Sequence, residues 1–308
     1  MLKVIITGAS GFIGRALCRF LLQQGVVVYA IVRNRHSMSE FAYIDNLEII
    51  ELSLEQYNKI ASIILDKDID VFYHLAWEGT SGVALTDYHM QLNNVRYSCD
   101  AIMAAVELNC KKFIFAGTIN ELEVIKQMNM DYCMPRLACI YGTAKLACEM
   151  ICKTLAYNHD IGFNTAILSS VFGPGDNSVT IQNVLLKKLI TGEKSKLVSG
   201  DFLYDWIYID DVVEMLRGIG ERSNNFRRYY IGHPVLKTFK EIVVEVRDIV
   251  NPEMELVFGE IKESSIIDFS QINVNAVYED TGILPNSDFK ESVKKTMEWL
   301  KKNSSRKD

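Results

Sequence analysis

Long apolar runs are missing from this 308-residue chain: nothing approaches the roughly 20 consecutive apolar residues that a bilayer-spanning helix needs. No charged leader with a cleavage site precedes the first strand-like run, "LKVIIT", so a cytoplasmic protein is expected and a membrane role is not. Basic runs are missing too, and the formal net charge of −6 gives no net attraction to nucleic acid or anionic lipid. The seven cysteines (Cys18, Cys99, Cys110, Cys133, Cys139, Cys148, Cys152) contain no C-x-x-C. Most sit beside Ala, Leu and Ile in helix-like segments, where a thiol acts as a small core hydrophobe in a reducing compartment. Cys148 and Cys152 are i,i+4 neighbours that could share a metal in principle, but no His accompanies them; neither zinc nor a disulfide is expected. There is no internal repeat, and only the tail "KKNSSRKD" reads as frayed.

What is present is alternation. Short β-branched runs ("KVIIT", "VVVYAIV", "LEIIE", "DVFYHLA", "KKFIFAG", "FNTAILSS") are separated by helix-length segments. These include "GFIGRALCRFLLQQG", "LEQYNKIASIILDKD", about Asp87 to Asn109, and about Tyr141 to Asn158. Strands apolar on nearly every residue suit a parallel sheet covered on both faces, and parallel neighbours require crossover helices. From Gly173 the pattern loosens: "GPGDNS", a helix near Val179 to Thr191, a strand around "SKLV", then "YDWIYIDDVVEMLRGIG" and helices near Phe239 to Ile249 and Phe289 to Lys301. The expected fold is α/β, a doubly wound parallel sheet over residues 1–172 that also receives about 205–222. Residues 173–204 and 223–308 are expected to form a smaller, discontinuous α/β lobe that binds substrate.

In "TGASGFIG", Gly8 closes the first strand, Gly11 stands where a helix begins and Gly14 lies on its first turn. A phosphate could meet free backbone N–H groups there. This G-x-x-G-x-x-G loop resembles that of the short-chain dehydrogenase/reductase superfamily, in the extended branch of nucleotide-sugar epimerases, dehydratases and reductases, whose sheet is Rossmann-like. The resemblance implies a dinucleotide held by Gly8, Ser10, Gly11, Phe12, Ile13 and Gly14, with Glu51 and Leu52 near the adenine. It also places Leu75 and Ala76 of "HLAW" along the cofactor, together with Asn94 and Ser169; His74 reads as structural. The second strand ends in "AIVRN", so Arg33 stands where many dinucleotide proteins carry an acid. A guanidinium pairs with a 2′-phosphate that a carboxylate would repel, which favours NADP over NAD. The plain alternative is a solvated arginine that stacks on adenine without choosing between them.

"YGTAK" places Tyr141 and Lys145 at i,i+4 on one helix face. An ammonium near a phenol stabilises its phenolate, which makes Tyr141 a candidate proton shuttle. Thr118 of "FIFAGT" occupies the position whose hydroxyl, in the resembled family, hydrogen-bonds the substrate oxygen; its bland role would be a helix cap. Thr118 is followed by Ile119 and Asn120 where the family's 4,6-dehydratases carry an Asp-Glu pair, and Glu121 is displaced, so dehydration is disfavoured. Substrate contacts are expected from Thr118, Asn120 and Tyr204. "FGPGDN" and "YDWIYIDD" resemble the family's "YGPG" and "RDFIYVDD", but Tyr204 replaces the arginine that pairs with a substrate diphosphate. Lys187, Lys188, Lys194 and Lys196 could compensate, or simply be a solvated surface. Ser169-Ser170 replaces the usual aromatic and Asn.

Three functions remain open from the sequence. The first is an NADP-preferring oxidoreductase or epimerase of a nucleotide sugar, acting at C4 of a 4-keto-6-deoxy or related hexose. The second is a reductase of a non-nucleotide carbonyl. The third is a non-catalytic NADP-binding redox sensor, although such proteins usually lack the Tyr or Lys. The helices from Asp87 and Tyr141 resemble those that pair across a twofold axis in this family, implying a homodimer.

Overall fold

The computed structural model describes residues 2–41, 44–262 and 267–304. Seven parallel strands form the main sheet in the order β10-β6-β5-β4-β1-β2-β3. They are β1 (Lys3–Thr7), β2 (Val27–Val32), β3 (Leu47–Glu51), β4 (Val71–His74), β5 (Lys112–Thr118), β6 (Gly162–Leu168) and β10 (Arg228–Ile231). Between them run α1 (Phe12–Gln23), α2 (Ile60–Ile63), α3 (Tyr88–Glu107), α4 (Asn120–Met128), α5 (Cys139–Asn158), β7 (Ser170–Phe172), α6 (Ile181–Thr191), β8 (Leu203–Tyr204), β9 (Trp206–Tyr208) and α7 (Ile209–Arg222). The chain closes with β11 (Lys237–Thr238), α8 (Phe239–Val250), α9 (Ala276–Thr281) and α10 (Phe289–Ser304).

Period-two alternation in β1 splits its side chains between two cores. Val4 and Ile6 join Leu17 and Leu21 of α1 and Val212 and Leu216 of α7 on one face. Ile5 joins Ala101 and Ile102 of α3 and Cys148, Cys152 and Ala156 of α5 on the other. The small residues of α3 and α5 let these helices pack closely on each other and on the sheet. Strand order reverses at β1, which pairs with both β2 and β4. A crevice therefore opens beyond the carboxyl ends of β1, β4, β5 and β6, the place where open α/β sheets bind ligands.

Some elements differ from the sequence reading. The segment from Leu54 is not one long helix: a short 3-10 turn over Leu54–Lys59 leads into α2, which ends at Ile64 in extended backbone. Four residues, Leu54, Tyr57, Ile60 and Ile64, are buried by that shape. "SKLV" makes only an isolated bridge, Lys196 with Val257. Arg228–Ile231 lies in the part assigned to the smaller lobe yet pairs with β6 as an edge strand of the main sheet. Its Tyr229, Tyr230 and Ile231 are fully buried there. Of the tail, Lys301 to Ser304 continue α10, and residues 305–308 lie outside the described residues. Among the described residues no helix is long and apolar enough to cross a membrane.

Candidate active site

The crevice has a volume of about 1360 Å³. That is more than a single small ligand needs. Its floor begins at Gly8, which takes φ +70°, a conformation that a side chain disfavours. A Cβ at Gly8 would also stand 2.9 Å from the Ala76 amide nitrogen at the end of β4. A Cβ on Gly14 would be driven into the Gly8 carbonyl oxygen and would lie 2.9 Å from Ala9 Cα. The turn closes directly onto α1 because neither residue has one. Gly11 is the N-cap and offers no side-chain cap; Arg15 N is the amide that bonds back to the Gly11 carbonyl, at 2.8 Å. The earlier amides of α1 lack an intrahelical acceptor, and Gly11, Phe12, Ile13 and Gly14 line the crevice. A dinucleotide's phosphates suit this cradle: glycines leave room, and a helix start supplies donors with a favourable dipole.

At the other side of the floor, Thr118 ends β5 and faces Tyr141 and Lys145 of α5. All three are buried and line the crevice. Thr118 Oγ1 accepts the Asn120 amide at 3.3 Å at the start of α4, and its hydroxyl lies on the same wall as the Tyr141 phenol. Lys145 Nζ donates to the Ala116 carbonyl at 2.8 Å and sits 3.8 Å from the centre of the Trp77 ring, with the Phe115 ring 4.8 Å away. Trp77 thus binds the ammonium by its π face and meets Tyr141 edge-on at 6.3 Å. Burial pulls Lys145 down to about 8, against the pull of Cys148 and Glu121, which favour its charge.

The expectation that Lys145 makes Tyr141 acidic needs correcting for the protein alone. Burial, helped by the negative charge of Glu121, raises the phenol above its usual value, and only the Thr118 hydroxyl opposes this. Desolvation of a phenolate outweighs an ammonium that is itself engaged by Ala116 and Trp77.

A family model described as the NAD dependent epimerase/dehydratase family matches residues 4–232. The chain belongs to that family. Its members are enzymes of nucleotide-sugar epimerisation, dehydration and reduction. Over 312 residues the chain is 26% identical to a CDP-abequose synthase of Salmonella typhimurium strain LT2, covering 96% of this chain and 98% of the relative. Among solved structures it resembles a UDP-glucose 4-epimerase of Thermotoga maritima in complex with UDP-glucose (TM-score 0.76, 21% identity, 98% of this chain and 100% of that one). It also resembles a UDP-glucuronic acid 4-epimerase of Bacillus cereus in complex with UDP-glucuronic acid and NAD (TM-score 0.75, 18% identity, 98% and 100%). Both share the Rossmann-like α/β fold.

The other residues singled out for the family's cofactor fall in three groups. Leu75 and Ser169 line the crevice; Ser169 donates to Asp205, which also accepts from Tyr230 and His233. Arg33 is exposed at the end of β2, with Glu78 3.7 Å away, and Glu51 accepts from the Arg35 amide at 2.8 Å. Ser10, Leu52, Ala76 and Asn94 do not line the crevice. Leu52 is buried and donates its amide to Val32, and Ala76 donates to Thr7. Asn94 is committed to one backbone unit, accepting from Glu78 N at 3.0 Å and donating to Glu78 O at 2.8 Å. It holds the turn that carries Trp77. His74 is spent structurally between Thr7 and Ser98, and burial presses it down to about 3, so it is neutral.

At the substrate end, Asn120 and Tyr204 line the crevice. The two departures at Ser170 and Tyr204 are in contact: Ser170 Oγ donates to the Tyr204 hydroxyl at 2.8 Å, and the Tyr204 ring packs edge-on against Phe202 and Phe239. Lys187, Lys188, Lys194 and Lys196 lie outside the crevice, and Lys188 and Lys194 face Glu193 and Glu255 instead. Among the described residues, the cations that do line it, besides Lys145, are Lys126 of α4 and Arg136, neither singled out from sequence. Arg136 grips buried Glu123 through two nitrogens, and Lys126 faces Asp268 at 3.7 Å. Gln182, at the start of α6, was also missed: it is buried, lines the crevice, and leaves its Oε1 without a partner among the described residues.

Proposed function

We propose that this protein is an NADP-preferring reductase or epimerase of a nucleotide-activated sugar, acting at C4 of a 4-keto-6-deoxy or related hexose. The observation that carries the reading is the Thr118–Tyr141–Lys145 group at the wall of a crevice floored by the glycine turn. Thr118 and Tyr141 can both bond one substrate oxygen, and Tyr141 can give that oxygen its proton or take it away. Lys145, anchored by Ala116 and Trp77, stands where it can hold a ribose hydroxyl and supply positive charge behind the phenol. A bound nicotinamide supplies or accepts the hydride. Pinning the oxygen between two hydroxyls replaces a bimolecular encounter with a positioned one.

Support for a nucleotide-linked substrate comes from the crevice's second half. Thr180, Ile181 and Gln182 at the start of α6 line it, and the Thr180 side chain caps none of the helix's first amides, which leaves that helix start without a side-chain partner of its own. The full-length likeness to a synthase of a CDP-linked sugar supports the same substrate class. Dehydration is disfavoured by geometry: Glu121, the acid nearest in sequence to Thr118, lies behind it and outside the crevice.

Arg33 carries the preference for NADP. Its exposed guanidinium at the end of β2 is free to turn towards a 2′-phosphate, since an exposed contact with Glu78 at 3.7 Å holds it weakly. Arg33→Asp is expected to reduce the ratio of NADP to NAD affinity by at least about tenfold in fluorescence titrations, a change of about 1.4 kcal/mol. An unchanged ratio ends the assignment.

The protein is further proposed to be a homodimer through α3 and α5. Tyr88 and Leu92 of α3, and Met150, Ile151 and Tyr157 of α5, are large apolar residues left exposed on these paired helices. An apolar face of this kind on two long helices suits burial against a second copy. Sedimentation at micromolar concentration should give twice the 35.0 kDa protomer mass. Leu92→Glu with Ile151→Glu should return it to the monomer, and a wild-type monomer would reject the interface.

A further inference from the structure

Behind Thr118, on the side away from the crevice, two carboxylates share one arginine. Glu121, the second residue of α4, is fully buried and accepts the Thr118 amide at 2.8 Å on Oε1. Its other oxygen takes Arg228 Nη2 at 2.7 Å. Arg228, at the start of β10, also donates from Nε to buried Glu149 at 3.1 Å, so one guanidinium draws both carboxyl groups to it. Glu149 lies on α5, one turn beyond Lys145 and two beyond Tyr141. A carboxyl group is an expensive way to receive one amide proton in the core. Its placement under the proton-transfer group calls for more than a structural reason.

We propose that Glu121 is a positioning residue for this site: it fixes the Thr118 peptide and, through a proton held within the Glu121–Glu149–Arg228 cluster, sets the charge that Tyr141 and Lys145 experience from below. The proposal rests on the reading of Tyr141 and Lys145 as the proton-transfer pair. Two carboxylates on one guanidinium leave a net negative charge, and one proton removes it. Burial and then repulsion from Glu149 raise Glu121 to about 8, opposed by Arg228 and the Thr118 amide, so the cluster holds its proton in neutral solution and loses it as the pH rises through about 8. An ionised Glu121 favours the ammonium of Lys145 and disfavours the phenolate of Tyr141, so it moves both groups upward. The other charged groups of α4 point elsewhere: Glu123 is held by Arg136, and Lys126 faces Asp268 at 3.7 Å beside the short turn that packs on α4. From α5 the facing groups are Glu149, Lys145 and Tyr141, and from β10 Arg228.

The test is a titration that requires no substrate. Lys145 is followed by the ¹³Cε resonance of lysine-labelled protein, assigned with Lys145→Arg, in the wild type, Glu121→Gln and Glu149→Gln, with thermal unfolding as the control for folding. Glu121→Gln keeps an acceptor for the Thr118 amide and removes the charge; the Lys145 midpoint should fall by about half a pH unit or more. Glu149→Gln leaves a single carboxylate for Arg228 and so also removes the cluster's net negative charge; the midpoint should fall here too. A downward shift in both folded variants is not produced by a merely structural role, which would change thermal stability alone. If Glu121→Gln does not fold, Glu149→Gln decides by itself. An unmoved Lys145 midpoint in the folded variants overturns the proposal. A protein that shows both shifts yet turns over no carbonyl substrate would overturn the enzymatic reading and leave the cluster's role standing.

Discussion

Tyr141→Phe is expected to lower turnover by about 10² to 10⁴ while leaving cofactor affinity nearly unchanged, the usual loss when a positioned acid or base is removed. The substitution deletes one oxygen. Phenylalanine keeps the ring that meets Trp77 edge-on at 6.3 Å, so the wall of the crevice and the seat of Lys145 persist. What disappears is the phenolic hydroxyl, the proton donor. Steady-state rates with NADPH and nucleotide-linked 4-keto sugars, set beside fluorescence titration of NADPH, separate the two effects. A variant that retains more than a tenth of the wild-type rate would show that another group moves the proton. The pH dependence should follow the same logic. Burial keeps Tyr141 protonated across the neutral range, so reduction, which needs a proton donor, should hold its rate through neutrality and decline as the pH rises through about 8, where Lys145 loses its charge.

Gly14→Val is expected to abolish measurable cofactor binding and to destabilise the fold by about 1–3 kcal/mol, the common cost of forcing bulk into a packed site. The first carbon of the new side chain meets the Gly8 carbonyl and Ala9 Cα, which are backbone atoms that cannot rotate aside. To admit it, the Gly8 turn must lift off α1, and the helix amides that line the crevice move with it. Thermal unfolding and NADPH titration on the same preparation check both parts. A folded Gly14→Val protein that binds NADPH normally would mean that the phosphates bind elsewhere.

Much of the first half of the fold was legible because its signals are local. The apolar strands, the glycine spacing and the Tyr-x-x-x-Lys pair each follow from a short stretch of sequence, and crossover rules turn alternation into a parallel sheet. The failures share a different cause. β10 is four residues, "RYYI", and nothing in so short a run says which sheet it joins; only pairing with β6 decides that. α4 has no counterpart in the sequence analysis although "ELEVIKQM" is rich in strong helix formers; it follows β5 with a single intervening residue, too little for a turn signal to mark its start. That omission hid Lys126, and Arg136 lies in the connection that follows α4. The four lysines named instead were chosen for their density in sequence, whereas reaching the crevice depends on which helix face the fold turns inward. Asn94 illustrates the same limit. Its position on α3 was readable, but its commitment to the backbone of Glu78 is a tertiary fact. Glu121 was noticed as a misplaced acid; that it sits beneath Thr118 required β10 to bring Arg228 alongside.

The central claim is that a substrate carbonyl held by Thr118 and Tyr141 exchanges hydride with the cofactor bound beyond the glycine turn. Isotope transfer tests it most directly. The protein is incubated with NADPH deuterated at the nicotinamide C4 and a nucleotide-linked 4-keto-6-deoxyhexose, and the sugar is analysed by mass spectrometry and NMR. The account predicts a product carrying deuterium on C4 in the wild type and almost none in Tyr141→Phe. A folded wild-type protein that binds NADPH and transfers no label to any such sugar would contradict it.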